Sequence, residues 1–390
     1  MKKTWLRLAL ASLAVTSLGG ALAIGCTGDD TTPAVLPDAG NDQNVVDTGK
    51  PDTTPIPDAG DASTPARAKV IIVHAGPGLP PIRFCFAIGL KADGSDGIIA
   101  PLAPQPDQKS NPAQPFAGVF NGTGGPFPDL GLDLSNKALT PYLILASKIT
   151  TDVKGADGGS APVGCDTLIE TDAGLVAGDI IKLPTIPAGT LANDTTVLLA
   201  ATGCIASDPV GVGRCGSTWN NTTGNVAIKG FVLDRKVADA GTMGVQVAHL
   251  SSATQGLLQG GATTGVNTAL ADTVADAATS LTTSQVWGEL KPATAVAAPL
   301  PNAAGTLFMV TVNNPSADGG APVVTAPYPL DFVVKTSTGI SDAGATPYFH
   351  TGANFTFVIL GDPTASKFLD DAGTIFNTGY LHAVAFPSNP

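Results

Sequence analysis

Downstream of Cys26, four histidines, four cysteines and two indoles carry most of the chemistry this sequence has to offer. His74 and His249 end two similar apolar runs, VIIVH at 70–74 and VQVAH at 245–249. His382 alternates with Tyr380, Val384 and Phe386, and His350 precedes a turn-like stretch. An imidazole can act as a base, a metal ligand or a hydrogen-bonding strut. For the first two roles the sequence offers no motif, since neither His-Glu-x-x-His nor Gly-x-Ser-x-Gly occurs in the chain. At a strand end the ring N–H can tie down a neighbouring carbonyl, so His74 and His249 are read as structural joints.

Cys85, Cys165, Cys204 and Cys215 all fall before residue 240. In an exported protein an even number of cysteines reads as disulfides, here two, with three possible connectivities. Spacing favours Cys204 with Cys215, closing a small loop, and leaves Cys85 with Cys165. The rival reading, a metal site, lacks a Cys-x-x-Cys pair and a nearby histidine, so no metal and no cofactor is expected. GVGRCG at 211–216 has dinucleotide-binding spacing, but no preceding strand or following helix is evident to place a phosphate. CGSTW at 215–219 resembles a cysteine-protease string in which Thr218 stands at the nucleophile's position. Trp219 and Trp287 are possible ligand contacts, for a glycan above all; for Trp219 the alternative is packing over the adjacent disulfide.

These residues need an address and a scaffold. MKKTWLRLALASLAVTSLGGALAIGC opens with basic residues, continues with an apolar run from about Leu8 to Leu18 and ends in small residues before Cys26. That is the layout of a secretory signal, with an apolar core too short to span a bilayer. Leu22, Ala23, Ile24, Gly25 and Cys26 resemble the cleavage box of bacterial lipoproteins, with Ala23 where leucine is commonest. The resemblance implies a signal peptide over 1–25, lipidation of Cys26 and a membrane anchor of acyl chains. Thr27, which is not Asp, implies the outer membrane. Residues 27–66 carry eight Asp against Lys50, repeat PDAG at 37–40 and 57–60, and read as a disordered acidic tether.

The rest is apolar enough for a real core, with 43% hydrophobic and 13% charged residues over the chain. Its 46 Gly and 32 Pro argue against long helices, because proline lacks an N–H and glycine loses entropy when ordered. The net charge of −12 leaves no electrostatic basis for nucleic-acid binding. Strands are expected at IRFCFAI (82–88, one buried face), TTVLLAA (195–201), NVAIKGFVL (225–233), TLFMVTV (306–312), LDFVVK (330–335), FTFVIL (355–360) and GYLHAVAF (379–386). A helix is expected over 267–283, with Leu270, Val274, Ala277 and Leu281 on one stripe and Asn267 or Thr268 as its cap. Asp-Ala-Gly at 172, 239, 342 and 371 fits turns between apolar runs.

Three landmarks recur in order: VIIVH at 70 and VQVAH at 245, TVLLAATG at 196 and TFVILGDP at 356, VAIKGFVLD at 226 and LHAVAFPSN at 381. Their offsets of 175, 160 and 155 indicate a divergent repeat, with units over 67–240 and 241–390. VIIVHAGPGLP resembles the opening Val-x-Val-Val-His-Ala-Ser-Pro-Asp-Ala-Pro of a bacterial extracellular family of unassigned function, with Gly76, Gly78 and Leu79 replacing Ser, Asp and Ala. That resemblance implies an immunoglobulin-like fold on the cell surface and no particular activity. The expected architecture is all-β, one or two antiparallel β-sandwich units of this kind after a disordered tether. The expected function is a non-catalytic surface lipoprotein with a structural or adhesive role, its partners the membrane and a surface protein or glycan. An exported hydrolase with a non-motif site and a glycan-binding module stand as alternatives.

Overall fold

The computed structural model describes residues 67–99, 122–127, 132–145, 165–170, 178–209, 211–256, 265–272, 278–301, 305–313, 322–338, 348–363 and 380–389. The signal, Cys26 and the tether lie outside them. Among the described residues, sixteen strands make four four-stranded sheets. In the first half, β1 (Lys69–His74), β4 (Gly124–Pro126), β7 (Thr196–Thr202) and β8 (Ala227–Leu233) form sheet I in the order β4-β1-β7-β8. Facing it, β2 (Ile82–Leu90), β3 (Asp96–Ile99), β5 (Leu139–Leu145) and β6 (Ile180–Lys182) form sheet II in the order β3-β2-β5-β6. In the second half, β9 (Thr242–His249), β12 (Leu290–Pro299), β15 (Asn354–Leu360) and β16 (His382–Pro387) form sheet III in the order β12-β9-β15-β16. Sheet IV comprises β10 (Val266–Ala271), β11 (Thr279–Gln285), β13 (Leu307–Asn313) and β14 (Pro322–Pro329) in the order β11-β10-β13-β14.

The alternation of side chains along each strand sets the layering. In β1, Val70 and Ile72 join a core with Phe84, Phe86 and Leu143 of sheet II, while Ile71 and Val73 point the other way. In β15, Phe355 and Phe357 meet Phe308 and Val310 of sheet IV, while Val358 and Leu360 turn back toward Ile71 and Val73. Sheets I and III therefore pack on each other through a third core, and the stack runs II, I, III, IV. The inner strands of the two middle sheets are buried on both faces, which is why VIIV, TVLLAA and FTFVIL are continuous apolar runs. Each half is thus a two-sheet sandwich, and the described residues from 67 onward belong to one compact unit.

The halves share one strand order and hydrogen-bonding scheme. Ala75 N–H donates to Ala201 O as Leu250 N–H donates to Ile359 O, and Gly122 N–H donates to His74 O as Gly288 N–H donates to His249 O. Gly203 and Gly361 end the second landmark strand with φ of 83° and 84°, where an added Cβ would strike Asn225 O or Tyr380 O. These pairs keep the offsets of 175 and 155 and correct the middle one: Ala201 matches Ile359 and Gly203 matches Gly361, an offset of 158 in place of 160. A slip of two residues leaves every side chain on its own face, so the apolar pattern could not detect it.

Four further expectations change. The sheets are not purely antiparallel, since β1 pairs with β7 and β9 with β15 in parallel. The second face of β2 is also buried, under α1 (Cys165–Glu170) and the Cys85–Cys165 disulfide. The helix expected over 267–283 is instead the β10–β11 pair. Asn267 and Thr268 are strand residues: Thr268 Oγ1 meets Thr282 Oγ1 at 2.8 Å, and Asn267 Oδ1 accepts Ser284 N–H at 2.7 Å. Residues 273–277 lie outside the described set, so the stripe through Val274 and Ala277 has no described counterpart. Conversely LDFVVK is not a strand but opens α4 (Leu330–Thr338), which buries Leu330, Val333, Val334 and Ser337 on one helical face. The Asp239 turn is present, with Thr242 N–H donating to Asp239 O and Gly241 at φ 83°; the other three Asp-Ala-Gly sites lie outside the described residues.

Candidate functional site

The histidines sit where strands end and tie segments together. His74 Nε2–H donates to Pro80 O at 2.9 Å, fixing the chain between β1 and β2. His249 Nδ1–H donates to Gln285 O at 3.2 Å, and its Nε2 lies 2.9 Å from the Thr254 hydroxyl. Burial pushes both imidazoles down to about 4, so both rings are neutral near pH 7. His382 spans the halves: its Nε2 is 2.9 Å from Gly122 O and its Nδ1 is 2.7 Å from Tyr380 O. Burial lowers its pKa as well. His350 is exposed and keeps to Tyr348 O at 3.0 Å.

The cysteines pair as Cys85–Cys165 and Cys204–Cys215. Among the described residues one group of three potential metal ligands exists, Cys204, Asp208 and Cys215, with ligand atoms within 4.8 Å of one another. Its two sulfurs are bonded to each other, and Asp208 forms an ion pair with Arg214 and accepts Gly211 N–H at 3.0 Å. The group is a staple for the lobe that carries α2 (Val212–Cys215), a single helical turn inside GVGRCG. Trp219 lies partly buried against Gly211 and donates its indole N–H to Ile205 O at 3.0 Å. Trp287 donates to Leu250 O at 3.3 Å and lies 4.7 Å beneath Lys229 Nζ of β8, another link between the halves. The two indoles are thus held in different places by backbone contacts and do not form one row.

A polar cluster on sheet II consists of Asp96, Tyr142 and Lys182. Tyr142 donates to Asp96, and Lys182 Nζ is 2.6 Å from the same carboxylate. Partial burial opposes ionisation of Asp96, but the bonds from Lys182 and Tyr142 outweigh it and hold the carboxyl below its usual range. The cluster is an ion pair on the sheet surface that joins β3, β5 and β6.

An apolar cleft of about 330 Å³ opens on the side of the first sandwich, between edge strand β8 and the segment after β6. Ile186, Pro187, Val197, Ile228, Gly230 and Val232 are among its lining residues, and none of the lining residues is charged. Val232 is 57% exposed. Its size is within the ~300–1,000 Å³ of sites that hold ligands. The sequence marked NVAIKGFVL as a strand but gave no sign of the cleft beside it, because sequence order does not reveal which strand edges a sheet leaves uncovered.

No helix among the described residues is long and apolar enough to cross a membrane. No protein-family model matches the chain, and a search of curated proteins found no matching relative.

Proposed function

We propose that this protein is a non-catalytic bacterial lipoprotein, held on the outer membrane through acylated Cys26, that presents a binding module on an acidic tether. The observation that carries the reading is the Leu22–Cys26 box after a basic, apolar leader and before an Asp-rich, Pro-rich segment. A body in which three buried histidines and both disulfides hold strands and loops together supports a binding role, as does the uncharged cleft beside β8. The alternatives, an exported hydrolase and a glycan-binding module, draw no comparable support from the described residues. The test is Cys26→Ala with metabolic palmitate labelling and membrane fractionation. The wild type is expected to be labelled and pelleted with the outer membrane, and the variant unlabelled and absent from that fraction. A variant that still pellets with the outer membrane would overturn the anchor.

A further inference from the structure

The internal repeat makes each half a control for the other. At the edge of sheet II, Ile186 N–H donates to Leu139 O; at the edge of sheet IV, Leu330 N–H donates to Thr306 O. From these matched points the chain returns to the middle sheets. The first half does so through 187–195, which holds no helix; the second takes the longer path 331–353 and builds α4. That helix lies along β16 and closes the open side of the second sandwich with Leu330, Val333 and Val334. It also satisfies the strand edge: Ser337 Oγ accepts Ala385 N–H at 2.7 Å, while the Tyr348 hydroxyl donates to Ala385 O at 2.8 Å. By the shared pairing of β7–β8 and β15–β16, the counterpart of Ala385 is Gly230, which is exposed beside the cleft.

We propose that the cleft along β8 is a docking site for an amphipathic helix of a partner protein, seated on the first sandwich as α4 is seated on the second. The occupant's character follows from that helix: apolar side chains spaced three and four residues apart to meet an uncharged lining, and a hydroxyl to accept an edge N–H. Among the described residues β8 is an edge strand with apolar residues at Ile228 and Val232, and such an edge invites a cover, because unpaired backbone groups gain from a partner and apolar area gains from burial. The inference rests on the binding role proposed above and adds the class of partner to it.

The probe is a helix-stapled, fluorescent peptide carrying the α4 sequence PLDFVVKTST, titrated by anisotropy against the full mature chain. Saturable binding is expected, with Kd in the range of about 1–100 µM. Val232→Asp, on an exposed side chain, is expected to weaken it about tenfold or more while leaving the thermal midpoint in place. A photo-crosslinker replacing exposed Thr190 on the cleft rim is expected to tag the peptide. No saturation by about 1 mM, or equal affinity for the wild type and Val232→Asp, would overturn the proposal. So would crosslinking of position 190 to residues 27–66 or to a second copy of the chain in place of the peptide. The titration does not depend on acylation, so its failure leaves the fractionation result standing, and a failed anchor leaves the titration interpretable.

Discussion

The two sandwiches are built from the same strands in the same order, yet they are held together differently. The first is stapled: Cys85–Cys165 fastens α1 to sheet II, and Cys204–Cys215 fastens the α2 lobe to the end of β7. The second has no cysteine. It relies on α4 and on an aromatic group in which Phe349 stacks on Phe357 with ring centroids 5.5 Å apart, and Phe308 on Phe357 at 4.6 Å. Closing a loop covalently restricts the unfolded chain, whereas adding a helix buries more apolar surface. One topology thus accepts either solution. Among the described residues, the half held by crosslinks leaves a side of its sandwich open, and the half without them closes that side with α4.

The feature both halves keep is the buried histidine at the end of the first strand, and the two together carry the largest expected effect. Both rings are folded in the neutral state, with pKa lowered from 6.5 to about 4 by burial. The unfolded chain binds protons that the folded one refuses, so the stabilisation is complete above pH 6.5 and is lost as pH falls from 6.5 toward 4. Each histidine contributes on the order of 3 kcal/mol to that loss, from a shift of about 2.5 units at 1.36 kcal/mol each. His382 adds in the same direction. Urea midpoints measured from pH 7.5 to 4 should fall steeply in the wild type, less in His74→Leu and His249→Leu, and least in the double variant. Unequal losses from the two single variants would break the equivalence of the joints.

The staples come next. Cys85–Cys165 closes a loop of 80 residues and Cys204–Cys215 one of 11. Chain entropy then assigns about 4.5 kcal/mol to the first and about 3 kcal/mol to the second. Replacing each pair by alanines should lower the unfolding free energy in that order, with the first-half strands losing hydrogen-exchange protection before those of the second. Equal protection loss across both halves would mean that the third core couples them into one cooperative unit.

These contrasts also show how far the sequence could be read. VIIVH, TVLLAA and FTFVIL were legible as strands because they are short apolar runs bounded by turn residues and rich in β-branched side chains; their burial on both faces was not, because it depends on which sheets stack. The cysteine pairing followed from spacing, and the histidine positions from their recurrence. The hairpin of β10 and β11 was not legible, since Leu270 and Leu281 fall on a helical stripe as readily as on two strands; what decides is Thr268 meeting Thr282 across the ladder, a long-range contact. The run LDFVVK misled for the opposite reason: six residues cannot distinguish a strand from the first turns of a buried helix. The cleft was hidden because openness depends on what the chain omits after Ile186, and an omission leaves no motif.

A smaller effect sharpens the contrast at the strand edges. Ser337→Ala removes the acceptor for the buried Ala385 N–H, and leaving that donor unpaired should cost about 1–2 kcal/mol by chemical denaturation. Ser337→Thr keeps the hydroxyl and should recover part of the loss. A loss of the same size in the alanine variant at high and low salt is expected, because the bond is between uncharged groups.

The smallest effect probes the matched position in the other half. Gly230 has an ordinary strand conformation, since no positive φ is found there, and a Cβ built on it meets nothing nearer than Leu199 Cδ2 at 3.5 Å. Glycine is therefore not required by the first sandwich itself, and Gly230→Ala installs the residue that the second sandwich carries at Ala385. Alanine restricts the unfolded chain more than glycine does, so the variant should gain about 0.5 kcal/mol, read as a higher urea midpoint at unchanged slope. Because Ala385 coexists with a docked α4, the same variant should still bind the α4 peptide. A destabilised Gly230→Ala would show that β8 is held in a way β16 is not, and would separate the two edges that the repeat equates.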